Sequence, residues 1–164
     1  MTDQQTGVAK PAKPFEPRVS IITLGVTDMP RARKFYTDLG WDFSAAQSNH
    51  HVSFFQGRGV VLGLYGAEAL ALDAGVKYEG HGFRAATLAY NCASEDEVDS
   101  AHAHALACGA TAIKHPQKVF WGGYSGYFAD PDGHLWEVAY NPFFAMDDDG
   151  HMILNASETA AQDG

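Results

Sequence analysis

The sequence is poor in cysteine and contains no long apolar run. It holds only two cysteines, Cys92 and Cys108, at a spacing that matches no zinc or redox motif. Two thiols placed in this way are typical of buried, free cysteines in a reducing compartment. A membrane-spanning helix needs about 18 or more consecutive apolar residues, and no such run occurs. The polar, proline-rich residues 1–17 also lack the apolar stretch of a signal peptide. These absences predict a soluble, cytoplasmic protein with no membrane partner.

Positive charge is scarce as well. Lys and Arg number 11 against 20 Asp and Glu, which gives a net charge of -9. An acidic surface repels phosphate backbones, and no basic stripe interrupts it, so we expect no nucleic-acid partner. Hydrophobic residues make up 46% of the 164-residue chain, enough for the buried core of one ordinary domain.

The pattern of residues 18–65 predicts a strand, a helix and three further strands. Val19–Val26 is rich in β-branched residues and reads as a buried strand. Asp28 is a helix N-cap before the predicted helix Pro30–Leu39, and Gly40 ends that helix. The three strands that follow are Trp41–Ala45, His51–Gln56 and Val60–Tyr65.

The same order returns over residues 84–142. Arg84–Cys92 is a predicted strand, and Ser94 with Glu97 forms a capping box for the predicted helix Glu95–Cys108. The three strands that follow are Thr111–Lys114, Ser125–Ala129 and His134–Tyr140. The connector 66–83 between the two units holds a possible short helix, Ala67–Ala74.

This duplication predicts an α+β fold of two βαβββ modules, 18–65 and 84–142, in one domain spanning 18–142. The modules are expected to form a curved mixed sheet around a cleft, with the helices on the convex face. Residues 1–17 read as a mobile tail, and 143–164 as a partly mobile extension. Within that extension, the run Asp147–Gly150 lacks the spaced ligands of a calcium loop and predicts a charged turn before an edge strand, His151–Leu154.

Side chains alternate across a strand, which sorts the strand residues into two faces. The face toward the helices is bulky and apolar, and its members are Ile22, Leu24, Leu62, Leu64, Leu88, Tyr90, Trp136 and Val138. The other face is small with scattered polar groups, as a cavity needs, and its members are Ile21, Thr23, Gly25, Val61, Gly63, Tyr65, Ala85, Thr87, Ala89, Asn91, Leu135, Glu137 and Ala139.

Two segments carry a family resemblance: LGVTDMPRARKFYTDLGW at the opening of the first module and GYFADPDGHLWEVAYNP at the close of the second. Together with the paired modules they resemble the vicinal oxygen chelate superfamily, which includes glyoxalase I, bleomycin-resistance proteins, extradiol dioxygenases and fosfomycin-resistance enzymes. The resemblance covers about residues 18–142. It implies the paired-module fold and a ligand cleft, and it does not specify a reaction.

The resemblance also implies a position for each of four metal ligands, typically His or Gln on the first strand of a module and Glu on the last. Those positions fall on Ile21, Gly63, Thr87 and Glu137, and only Glu137 matches. We therefore expect no metal cofactor. A divalent metal held by His51 or His81 together with Glu137 is the alternative. His102 and His104 lie two apart on the second helix and are expected to face solvent.

Glu137 is the candidate catalytic residue, as a general base or a hydrogen-bond acceptor for a ligand; the alternative is an ordinary paired or solvated carboxylate. The glycine-separated aromatics of Phe120–Tyr127 predict either an aromatic wall of the cleft or a dimer or core contact. The connector Lys114–Tyr124 would be the loop best placed to cover the cleft. The full set of predicted ligand-binding residues is Thr23, Tyr65, Thr87, Asn91, Trp121, Tyr124 and Glu137.

Three functions are compatible with these residues. The first is a metal-free protein that binds or sequesters a small organic molecule, similar to bleomycin-resistance proteins. The second is a lyase or isomerase of glyoxalase type that uses Glu137 as base. The third is a structural or interaction module whose cleft is incidental. The resemblance also implies a homodimer.

Overall fold

The computed structural model describes residues 17–154. The tail predicted over 1–17 lies outside this range apart from Pro17, as do residues 155–164 of the predicted extension. The helices are α1 (Met29–Leu39), α2 (Ala67–Asp73) and α3 (Glu95–Ala107). The strands are β1 (Ile21–Val26), β2 (Asp42–Phe43), β3 (Val52–Gln56), β4 (Val61–Gly66), β5 (Leu88–Asn91), β6 (Thr111–Lys118), β7 (Tyr124–Ala129), β8 (Leu135–Tyr140), β9 (Ala145–Met146) and β10 (Met152–Ile153).

The main strands form two four-stranded sheets with the same topology. Their orders are β1-β4-β3-β2 and β5-β8-β7-β6, and in each sheet the first and last strands of the module pair in parallel while the others pair antiparallel. Each sheet is one βαβββ module, so the predicted α+β fold is confirmed. In the described part of the chain, no helix is long and apolar enough to cross a membrane.

The helix starts follow from the predicted caps. The Asp28 carboxylate accepts the backbone N–H of Arg31 at 2.9 Å, and Gly40 takes a left-handed conformation with a φ of 115° at the end of α1. The Ser94 hydroxyl accepts the N–H of Glu97 at 3.2 Å, and the Glu97 carboxylate accepts the N–H of Ala93 at 2.7 Å. These bonds satisfy backbone donors that have no partner inside the helix.

One apolar core lies between the sheets and the helices α1 and α3. The largest fully buried side chains are Tyr36, Phe35, Phe55, Leu62, Leu64, Val98 and Val138. Trp136 joins the halves of the core, because its ring centroid lies 6.1 Å from that of Trp41 in the first module and 6.3 Å from that of Phe128 in the second.

Polar contacts from the β7–β8 turn join the two modules. Asp132 accepts the backbone N–H and the hydroxyl of Thr27, both at 2.8 Å. The hydroxyl of Tyr36 donates to Asp130 at 2.7 Å, and His134 Nε2 lies 2.7 Å from the carbonyl oxygen of Gly25. These contacts place the end of β1 beside the start of β8.

Several sequence-based expectations were wrong. His102 is buried, not exposed, and its Nε2 lies 3.2 Å from the carbonyl oxygen of Tyr127; this bond makes burial of the ring acceptable. Tyr90, expected beneath the helices, is 57% exposed because β5 is a short edge strand. The loop expected over Lys114–Tyr124 begins only after Lys118, since β6 continues to that residue.

Candidate functional site

The face of each sheet that points away from α1 and α3 forms the candidate cleft. Here Ile21 is 50% exposed, and Thr23 and Ala89 are also exposed. Their strand neighbours Ile22 and Leu24 pack against the core on the other face. The predicted sorting of side chains into two faces therefore holds along β1.

A row of polar side chains crosses this face of the second sheet. Tyr127 of β7 pairs with Glu137 of β8, and Lys114 of β6 pairs with Tyr127, so the three residues lie side by side. Glu137 is half-buried. The pKa of Tyr127 is raised, first by burial and then by the negative charge of Glu137 and a hydrogen bond to it. The hydroxyl of Tyr127 therefore keeps its proton at neutral pH and can donate to the carboxylate.

The equivalent row of the first sheet is apolar. Gly63 of β4 pairs with Thr23 of β1 and with Phe54 of β3. A Cβ atom added to Gly63 would lie 3.2 Å from Thr23 Oγ1, 3.4 Å from Phe54 Cε1 and 3.6 Å from Ile21 Cγ2. Side chains from the neighbouring strands therefore close over the glycine and leave little room for a longer side chain there.

The repeat makes the two rows directly comparable. Gly63 occupies the position of Glu137, and Phe54 occupies the position of Tyr127. The second module thus contributes a carboxylate and a phenol, while the first contributes an aromatic ring and a glycine. The cleft has one polar half and one apolar half.

The four positions that the family uses for metal ligands do not fit a divalent metal. Ile21 and Gly63 supply no donor atoms, and the space beside Gly63 is closed by Thr23 and Phe54. Thr87 precedes β5 and is exposed, which leaves Glu137 as the single carboxylate. Within residues 17–154, no three His, Cys, Asp or Glu side chains are arranged to hold a metal ion.

The other predicted ligand-binding residues fall in different places. Thr23 and Tyr65 lie on the cleft face of the first sheet, and Tyr65 is half-buried. Asn91 lies at the end of β5, on the same face as Ala89. Trp121 lies in the β6–β7 turn with its ring against Gly123, where an added Cβ would lie 1.8 Å from the ring.

Tyr124 is turned away from the cleft. Its hydroxyl donates to Asp99 of α3 at 2.9 Å, and its ring packs against the core. The aromatic residue of β7 that faces the cleft is Tyr127, which belongs to the predicted aromatic segment Phe120–Tyr127 but was not among the predicted ligand-binding residues. The alternation of side chains could have identified it, because the buried Phe128 next to it must face the helices.

A separate cavity of about 270 Å³ lies at the ends of β5 and β8, beneath the β9–β10 hairpin. Its lining residues are Asn91, Cys92, Ala93, Tyr140, Asn141, Pro142, Phe144, Met146 and Met152. Burial, followed by the charge of Glu97, raises the pKa of the Cys92 thiol to about 11. Cys92 is therefore protonated at neutral pH and unsuited to nucleophilic chemistry.

This fold is that of a known superfamily. The family model of the Glyoxalase/Bleomycin resistance protein/Dioxygenase superfamily matches residues 18–138. The chain belongs to this superfamily, as the resemblance implied.

Solved structures agree with this assignment. A glyoxalase-related enzyme from Fulvimarina pelagi is 33% identical, with a TM-score of 0.75, over 84% of this chain and 98% of that one. A glyoxalase/bleomycin resistance protein/dioxygenase from Nocardioides is 26% identical, with a TM-score of 0.64, over 82% and 86% of the two chains. A lactoylglutathione lyase from Agrobacterium tumefaciens, 22% identical with a TM-score of 0.60 over 77% and 96%, shares the fold. The comparison with curated proteins found no match.

Proposed function

We propose that the protein binds a small organic molecule in the cleft between its two modules, with Glu137 and Tyr127 holding a polar head group. The observation that carries this proposal is the paired carboxylate and phenol on a sheet face that α1 and α3 leave uncovered. A carboxylate accepts hydrogen bonds, and a protonated phenol both donates and accepts them. Small-molecule sites commonly combine a few such convergent polar groups with apolar walls.

Charge and shape narrow the class of ligand. The net charge of -9 favours a neutral or cationic molecule over an anion. Glu137 favours a head group that donates hydrogen bonds, such as an amine or a hydroxyl. Ile21 and Phe54, whose side chains lie over Gly63, favour a flat apolar portion against the first sheet. The proposed ligand is a small aromatic amine or phenol.

The proposed binding uses no metal, because one carboxylate and one exposed threonine do not form a coordination sphere. Dialysis of the untagged protein against Mn²⁺, Ni²⁺ and Zn²⁺, followed by elemental analysis, is expected to leave well under one ion per chain. One tightly bound divalent ion per chain would overturn the metal-free proposal and leave the fold assignment intact.

Calorimetric titration with benzylamine, tyramine and catechol tests the binding itself. We expect at least one of them to bind, and Glu137→Gln to weaken that probe about tenfold or more, because hydrogen bonds to a charged group contribute about 1.5–3 kcal/mol. Asp96→Asn is the matched control, since it removes one exposed carboxylate from α3 on the opposite side of the sheet. Equal affinity of Glu137→Gln and the native protein would exclude Glu137 from the site. Binding of none of the three would favour an incidental cleft.

The second candidate function is a lyase or isomerase in which Glu137 takes a proton as general base. The 33% identical protein from Fulvimarina pelagi is described as a glyoxalase-related enzyme, and this favours a test for turnover. The hemithioacetal of methylglyoxal and glutathione is a suitable substrate to try. Turnover that Glu137→Gln abolishes and Asp96→Asn retains would replace simple binding with catalysis.

A homodimer and a cytoplasmic location stay predictions. Sedimentation velocity at micromolar protein concentration tests the first.

A further inference from the structure

Neither Glu137 nor Tyr127 lines the cavity beneath the C-terminal hairpin, which shares Asn91 with the cleft face of the second sheet. The cavity lies where β5 and β8 end, and β9, β10 and the segment between β8 and β9 form its outer wall. The family match stops at residue 138, whereas six of the nine lining residues follow it. Those six are Tyr140, Asn141, Pro142, Phe144, Met146 and Met152. This chain therefore builds the cavity largely from residues outside the matched part of the superfamily.

The hairpin is held in place by contacts at its turn. In its turn, the Asp147 carboxylate accepts the N–H groups of Asp149 at 3.0 Å and His151 at 2.8 Å. The tip reaches the β3–β4 turn of the first module, where Arg58 donates to the carbonyl oxygen of Asp149 at 3.2 Å. A Cβ atom on Gly59 would lie 3.1 Å from His151 Nε2, so glycine permits this close approach. The outer wall of the cavity follows β8 of the second module along the chain and is thus anchored by its turn to the first module.

The lining combines adaptable apolar surface with two amide groups. Met146, Met152 and Phe144 provide the apolar wall, and methionine side chains adjust to flat ligands and make favourable contacts with aromatic rings. The side-chain oxygen of Asn141 accepts the N–H of Phe143 at 3.0 Å, which leaves its NH₂ group for a ligand. Asn91 also lines the cavity, and its side chain makes no hydrogen bond to any residue within 17–154. Both amides can therefore serve a ligand that carries a carbonyl or amide group.

We propose that this cavity is a second binding site, for a small, uncharged aromatic molecule that carries a carbonyl or amide group. An apolar cavity of about 150 Å³ already admits a benzene ring, so 270 Å³ accommodates a ring with a short polar substituent. The ring lies between Met152 and the strand ends, and Asn91 and Asn141 donate to the carbonyl oxygen. No group in this site carries a charge, which distinguishes it from the cleft.

Fluorine NMR titration of the full chain with 4-fluorobenzamide tests the proposal. Met152→Trp fills the cavity and is expected to weaken binding at least tenfold. Ile153→Trp is the matched control, because the next residue of a strand points to the opposite face and leaves the cavity open. Asn91→Leu is a second variant that keeps the volume similar and is expected to reverse the preference, from 4-fluorobenzamide to fluorobenzene.

The same titration separates this site from the cleft. Glu137→Gln is expected to leave the affinity for 4-fluorobenzamide unchanged, whatever its effect on the amine and phenol probes. The proposal is overturned if the native protein fails to bind the probe at millimolar concentration, or if Glu137→Gln abolishes binding. Equal affinity of Met152→Trp and Ile153→Trp would also overturn it. If Met152→Trp prevents folding, the preference of Asn91→Leu decides, and an unchanged preference rejects the site.

Discussion

The hydroxyl group of Tyr36, in the first module, forms hydrogen bonds with two residues of the second. Tyr36 belongs to α1, is fully buried, donates to Asp130 at 2.7 Å and lies 3.2 Å from Trp136 Nε1, which donates to it. Burial and the charge of Asp130 hold the pKa of this hydroxyl well above its usual value of 10.0, so it stays protonated. Tyr36 is therefore a permanent donor to a buried carboxylate.

Tyr36→Phe is expected to lower the free energy of unfolding by about 1–3 kcal/mol. The substitution leaves the buried indole N–H of Trp136 without its acceptor and Asp130 without one of its donors. Urea denaturation followed by Trp fluorescence measures the change. Tyr90→Phe is the control, since Tyr90 is 57% exposed and the same hydroxyl loss there should change stability by less than about 0.5 kcal/mol. Equal effects of the two variants would contradict the role assigned to Tyr36.

Gly63 gives a second prediction at the scale of single residues. Gly63→Glu would restore the carboxylate that the superfamily pattern places there, but its Cβ would meet Thr23 and Phe54 at 3.2 and 3.4 Å. We expect it to destabilise the protein by about 1–3 kcal/mol, as overpacking does. Adding Phe54→Ala should recover part of that loss, so the two changes are expected to be non-additive in thermal unfolding. Strictly additive effects would show that Phe54 does not limit the space at position 63.

Among the secondary-structure elements, those set by local signals were predicted well and those set by distant contacts were not. The predicted bounds of α1 and α3 lie within one residue of the observed ones, because caps and helix-ending glycines act over a few residues. The strand predicted over Arg84–Cys92 is shorter in the structure and spans only Leu88–Asn91, because these are the residues that pair with β8. Likewise β6 runs beyond its predicted end at Lys114 because β7 pairs with it as far as Lys118.

The hairpin β9–β10 is expected to depend on pH. The side chain of Asp147 accepts a hydrogen bond from the His151 ring, and this bond raises the pKa of His151 from 6.5. The backbone N–H of His151 also donates to Asp147, and this is the main cause that lowers the pKa of Asp147 from 3.8. A raised histidine pKa stabilises the folded state below pH 6.5, and this contribution is lost as the pH rises through the folded value. A lowered aspartate pKa stabilises it above pH 3.8, and that contribution is lost as the pH falls.

The hairpin should therefore be best ordered between about pH 4 and 6.5. Methyl NMR signals of Met146 and Met152, recorded from pH 4 to 9, are expected to move as His151 loses its proton. Asp147→Asn should remove the raised pKa of His151 and shift the transition toward pH 6.5. A transition at the same pH in Asp147→Asn would show that another group controls the hairpin.

For the whole molecule, the sequence predicted the architecture better than the site. The duplicated order of elements is repeated in caps, turns and alternation, and each of these acts locally. The polar row of the cleft face depends instead on which strands pair and in which register. Tyr124 was chosen as the ligand-binding aromatic of β7, but its side chain points to α3, whereas Tyr127 points to the opposite face. The second cavity could not be predicted from the sequence either, because it forms where Asn91 lies close to residues some 50 positions further along the chain.

The contacts of Asp132 lead to a prediction about cooperativity between the modules. Its side chain is 3% exposed, accepts two hydrogen bonds from Thr27 and pairs with Arg31 at 3.2 Å, so a turn of the second module satisfies groups at the start of α1 in the first. Asp132→Ala leaves the backbone N–H and hydroxyl of Thr27 without their acceptor and should lower the free energy of unfolding by about 1–3 kcal/mol. Asp132→Asn keeps an acceptor oxygen and should lower it less.

Trp136 and Tyr36 place both modules in one core. The loss of stability in Asp132→Ala is therefore expected to affect both sheets equally. Hydrogen exchange of the amides in β4 and β8 measures this, since the slowest amides of a single cooperative unit exchange through global unfolding. In Asp132→Ala, the protection of both strands should fall by the same factor. If the protection of β8 fell while that of β4 held, the modules would unfold separately and Asp132 would stabilise only its own turn. Equal loss in both strands would show that the duplicated modules unfold as one unit.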